Sequence, residues 1–135
     1  MNSERSDGLV FTSDNGDEVV FNYFSWVEII KGIIAEYAEA TPEEAAELVV
    51  NSSITNTCPT RFIDVFTLSH ELEYNWAMLI AYGQMYWLKG VSVGLPEGYV
   101  DWERTYREEN GLAEESFVWL TALPSTSSHS AQARA

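Results

Sequence analysis

The chain has 135 residues, 46% hydrophobic and 13% aromatic, which suits a folding domain able to bury one core without disulfide or metal staples. Twenty-one acidic residues against seven basic ones give a net charge of −14, a field that repels nucleic-acid phosphates and anionic membranes and attracts basic partners. Direct nucleic-acid binding is thereby disfavoured, although such acidity also serves plain solubility.

The lone Cys58 leaves no internal disulfide, which suits a reducing compartment. The segment Met1-Asn2-Ser3-Glu4-Arg5-Ser6-Asp7 lacks the apolar stretch of a signal peptide, and no run reaches the roughly 20 apolar residues of a membrane span. The expected location is therefore cytoplasmic, without membrane attachment.

In chain order, Leu9–Thr12 and Glu18–Phe21 are short β-type runs around Asp14-Asn15-Gly16-Asp17, and Asn-Gly suits a tight hairpin turn. Trp26, Ile30, Ile33, Ile34 and Tyr37 recur at helical spacing and predict a helix over 25–40, in which Gly32 either weakens the helix or permits a close contact. Thr41-Pro42-Glu43-Glu44 reads as a helix start: threonine caps, proline takes the first turn, and Glu44 closes the capping box. That second helix reaches Val50. Residues 51–59, rich in Ser, Thr and Asn, read as a loop, and 61–68 as one or two helical turns.

The longest helix is expected over 70–89, capped by Ser69 and closed by Lys89-Gly90. Leu72, Trp76, Leu79, Gly83 and Tyr86 form one seam on it; Tyr74, Met78, Tyr82 and Met85 form a second stripe, suited to core or to interface. A loop over 91–98 leads to a helix capped by Asp101 and ending at Asn110-Gly111, and 113–123 fits helix or strand equally. The fold class is thus mainly α: a compact domain of four to five helices over 1–124 with a small N-terminal β-hairpin at 9–21, then a disordered tail over 125–135.

Residues with catalytic or ligating chemistry are sparse. His70-Glu71 begins like a zinc-protease helix, but Tyr74 stands where the second histidine belongs. No Glu-x-x-His pair exists for a di-iron site, since Thr67 and Thr126 precede the two histidines by three, and Asp14-Asn15-Gly16-Asp17 lacks calcium-loop spacing. Cys58 has no evident base, Ser69 is better read as a cap, and there is no nucleophile elbow, phosphate loop or dinucleotide fingerprint. No metal, no cofactor and no enzymatic activity are expected.

Charge placement says more. Residues 1–60 hold eleven acids and two bases, residues 61–135 ten acids and five bases, and no base lies between Lys31 and Arg61. Within that gap Glu36, Glu39, Glu43, Glu44 and Glu47 crowd the junction of the first two helices. Acids in the second helix's first turn complement its dipole, whereas Glu36 and Glu39 sit at the wrong helix end for that role. These five glutamates form an acidic ridge, the expected contact for a basic protein partner.

A small, acidic, aromatic-rich helical chain without catalytic residues resembles, as a class, the immunity proteins and antitoxins of bacterial competition systems. The run His70-Glu71-Leu72-Glu73-Tyr74-Asn75-Trp76-Ala77-Met78-Leu79-Ile80-Ala81-Tyr82-Gly83 has the look of a family hallmark. The resemblance implies neutralisation of a cognate toxin by covering its basic surface, and it transfers no residue roles. Two alternatives stand beside it: a phage-type inhibitor that imitates DNA with its carboxylates, and a small ligand-binding or enzymatic domain with a pocket beside helix 70–89. The oligomeric state, a homodimer included, stays open.

Overall fold

The computed structural model describes residues 5–91 and 94–120. Among these, strands β1 (Leu9–Thr12) and β2 (Glu18–Phe21) are followed by helices α1 (Tyr23–Tyr37), α2 (Pro42–Val50), α3 (Ser53–Asn56), α4 (Phe62–Leu68), α5 (Glu73–Tyr82) and α6 (Tyr99–Glu109), and then by β3 (Phe117–Leu120). The fold is mainly α with a small antiparallel sheet. The tail expected over 125–135 lies outside the described residues. No helix among them is long and apolar enough to cross a membrane.

The hairpin falls at its expected bounds, but its connection is a five-residue loop rather than a two-residue Asn-Gly turn. Ser13 Oγ accepts from the N–H groups of Asn15 and Asp17, and only Gly16 takes a positive φ. The hairpin is also not alone. β3 pairs with β2, Phe21 opposite Phe117 and Val19 opposite Trp119, so the sheet order is β1-β2-β3. A two-stranded ribbon is marginal in water, and the third strand together with packing on α4 relieves that.

α1 is the central element. Trp26, Val27, Ile29, Ile30, Ile33 and Ile34 are essentially sealed from solvent, because α2, α5 and α6 all pack against this helix. Close approach to α6 depends on Gly32: a Cβ there would lie 2.4 Å from Tyr106 Cζ. The start of α1 also ties distant segments together. Asn22 receives the Gly8 N–H at its Oδ1 and donates through Nδ2 to Glu115 O, while its own N–H donates to Ser116 O. Ser25 Oγ donates to Asp7 and accepts from Ala113 N–H.

α2 begins as its sequence dictates: Glu44 N–H donates to Thr41 Oγ1 and Thr41 N–H to Glu44 Oε1, completing the capping box. Residues 51–59, expected as loop, contain the short α3. Their polar side chains close the end of α2, with Thr55 Oγ1 and Asn56 Nδ2 both donating to Val49 O.

The long helix expected over 70–89 is shorter at both ends. Ser69 and His70 finish α4 instead of starting α5: Ser69 Oγ donates to Phe66 O, and His70 Nδ1 lies 2.8 Å from the same carbonyl. Leu72 stands at the N-cap. At the other end Gly83 (φ 90°, ψ 179°) breaks the helix, Lys89 Nζ donates to the freed Tyr82 O, and a 3-10 turn covers Tyr86–Lys89. Tyr74, Ala77 and Met78 face the core, whereas Leu72 is half exposed and Trp76, from the first seam, is only partly buried with its indole N–H donating to Leu68 O. Asp101 does not cap α6; Gly98 does, and Asp101 pairs with Arg104.

Candidate functional site

The fold presents two acidic surfaces. The first is the ridge anticipated at the α1–α2 junction. Glu36 lies in the last turn of α1, Glu39 in the left-handed link (φ 57°), and Glu43, Glu44 and Glu47 on α2. All five side chains are exposed, within twelve consecutive positions of the chain. Glu44 is partly committed to its cap. The cations that bracket the ridge in sequence are themselves paired, Lys31 with Glu28 at 3.1 Å and Arg61 with Asp64 at 2.9 Å.

Asp64 is itself a local device. Its carboxylate accepts from Arg61 Nη2 and from the N–H groups of Thr60 and Arg61. These bonds, the one from Arg61's side chain first, hold its pKa at about 2 instead of 3.8.

The second surface lies at the start of α5, where the sequence suggested a pocket only as an alternative, and its carboxylate lining was not anticipated. A solvent-open cleft of about 470 Å³ lies where the α4–α5 turn, α6 and the approach to β3 converge. Glu71, Glu73, Glu103, Glu114 and Glu115 line it, with Leu72, Phe117 and Trp119 as its apolar part. Arg107, 4% exposed, holds these elements together: Nε donates to Glu103 Oε2 (2.8 Å), Nη1 to Ala113 O (2.9 Å), and Nη2 to Ser116 Oγ (3.1 Å) and to Glu73 Oε2 at a long 3.4 Å. A guanidinium so surrounded is a structural clamp rather than a free charge. Beneath lies Tyr99, whose hydroxyl has no hydrogen-bond partner among the described residues. Burial pushes its pKa far up, and Glu103 and Glu73 nearby add to this.

The i, i+4 spacing of Glu103 and Arg107 was readable in the sequence as a helix pair. Its burial was not, since Glu73, Ala113 and Ser116 come from other parts of the chain.

The residues weighed for catalysis, Cys58, Ser69 and His70, share no side-chain hydrogen bond with one another among the described residues. Cys58 is exposed and shares no hydrogen bond with His70, whose ring packs edge-on against Phe66 at 4.5 Å. Ser116 Oγ is occupied by Arg107, and no group of three or more His, Cys, Asp or Glu among the described residues is placed to hold a metal ion.

No family model, curated protein or solved structure matches this chain.

Proposed function

We propose that this protein is an acidic protein-binding module of the immunity or antitoxin type, neutralising a toxin by covering its basic surface in a reducing cytoplasm. The observation that supports this reading is the uncompensated ridge. Four exposed carboxylates outside any ion pair among the described residues (Glu36, Glu39, Glu43, Glu47), with Glu44 beside them, fall within twelve consecutive positions, and the cations that bracket them in sequence are paired with Glu28 and Asp64. Such a patch steers a basic partner into encounter and disfavours nucleic acid and anionic lipid as targets.

The test is capture of partners from the source organism, followed by binding kinetics with Glu39→Lys/Glu43→Lys/Glu47→Lys. That variant folds, because its sites are exposed, and it associates more slowly. Raising salt from about 50 to 500 mM shortens the Debye length several-fold and slows association more than it speeds dissociation. A folded triple variant that binds like wild type would sink the proposal.

A further inference from the structure

The cleft joins half-exposed aromatic surface to its carboxylates. Trp119 is 42% exposed and Leu72 52%, and both line the cleft. Phe66, 41% exposed, meets Trp119 edge-on at 6.2 Å, so the apolar surface continues onto α4. Large aromatics that stay half in water on a chain with a packed core are the usual anchors of protein contacts. Glu71 and Glu114 line the same cleft, are exposed, and take part in no ion pair among the described residues. Arg107 offers no counter-charge, being matched by Glu73 and Glu103.

We infer that this groove is a second docking site of the same module, taking a loop of the basic protein partner in which arginine or lysine alternates with apolar side chains. The cation lies over the Trp119 ring with Glu71 and Glu114 near it, a cation–π contact backed by carboxylates. The apolar neighbours cover Leu72 and Phe66. Charge complementarity selects this occupant: a second copy brings a further −14, and a nucleic acid brings phosphates against carboxylates. The inference rests on the protein-binding reading above, yet it locates contact on a different surface.

The probe is a blocked Arg-Leu-Arg-Leu-Arg-Leu peptide titrated into the full chain, with the five tryptophan indole N–H signals followed by NMR and Trp119 assigned through Trp119→Phe. A saturable shift of the Trp119 signal is expected, with Trp87, 50% exposed outside the cleft, left in place as an internal control. Glu71→Gln/Glu114→Gln should weaken the peptide about threefold to tenfold, and Glu43→Gln/Glu47→Gln by less than that. Shifts confined to amides 36–47 would overturn the groove and leave the acidic module standing. Equal shifts at Trp87 and Trp119 would overturn it as unspecific aromatic contact. A Trp119 signal that moves on dilution alone would assign the face to a second copy and overturn it likewise. The absence of any saturable shift would overturn the groove and remove the peptide-level support for the module.

Discussion

Replacing Arg107 by methionine tests whether the cleft is a built structure or a loose collection of acids. The substitution keeps the apolar stem and removes a guanidinium whose side chain is 5% exposed, stranding Glu73 and Glu103, which are 17% and 24% exposed. Ala113 O and Ser116 Oγ lose their donor as well. Breaking a buried pair from one side costs about 3–5 kcal/mol. Because both carboxylates keep some contact with water, the lower end applies: about 3 kcal/mol, a fall of roughly 10 °C in Tm. Urea melts followed by tryptophan fluorescence read this directly. Adding Glu73→Gln and Glu103→Met removes the stranded charges and should recover most of the loss, since a buried ionic cluster and an apolar one of similar volume are often equally stable. A single-variant cost under about 1 kcal/mol would show a solvated, surface-like pair and would refute the clamp.

Three further expectations follow from local geometry. Gly32→Ala gains about 1 kcal/mol of helix propensity but sets a Cβ 2.4 Å from the Tyr106 ring, so urea melts should show a net loss of about 1 kcal/mol that turns into a gain in a Tyr106→Ala background. Stabilisation of wild type by the same change would mean that the ring yields freely. Asp64, held at about 2 from a usual 3.8, contributes stability that is complete above the unfolded value and lost as pH falls through about 2. Its side-chain carbon signal should titrate there, and a midpoint near 3.8 would contradict the Arg61 contact. Met85→Gly, at a φ of 57° and a half-exposed site, should raise stability by up to about 1 kcal/mol in thermal melts; a loss would mean that the Met85 side chain contributes more than its backbone costs.

What the sequence disclosed and what it withheld divide along the range of the interactions. The capping box at Thr41 and Glu44 was fully legible because both partners lie within one turn, and the ridge was legible because its five glutamates lie within twelve consecutive positions. α5 was overextended because its apolar pattern continues across Gly83. The break is stabilised by Lys89 reaching Tyr82 O from beyond the helix, which no periodicity records. The choice between helix and strand for 113–123 was undecidable locally, since Phe117-Val118-Trp119-Leu120 becomes a strand through its register with β2. The lining of the cleft was not legible for the same reason: Glu71, Glu103, Glu114 and Trp119 meet only once α5, α6 and β3 have converged.

That β2–β3 register has a consequence for how the chain is made. Phe21 and Phe117 must find each other across nearly the whole described sequence, and the Asn22 and Ser25 bonds to residues 113–116 can form no earlier. On a ribosome, Val19 and Phe21 therefore emerge long before their partner strand and wait in an incomplete hairpin while α1 to α6 are still being synthesised. Long-range pairing of this kind slows the closing step of folding, and an unpaired apolar strand is an opening for other chains in the interval. The same excess of carboxylates that gives the finished molecule its surface field would then also keep nascent copies from pairing with one another before β3 arrives.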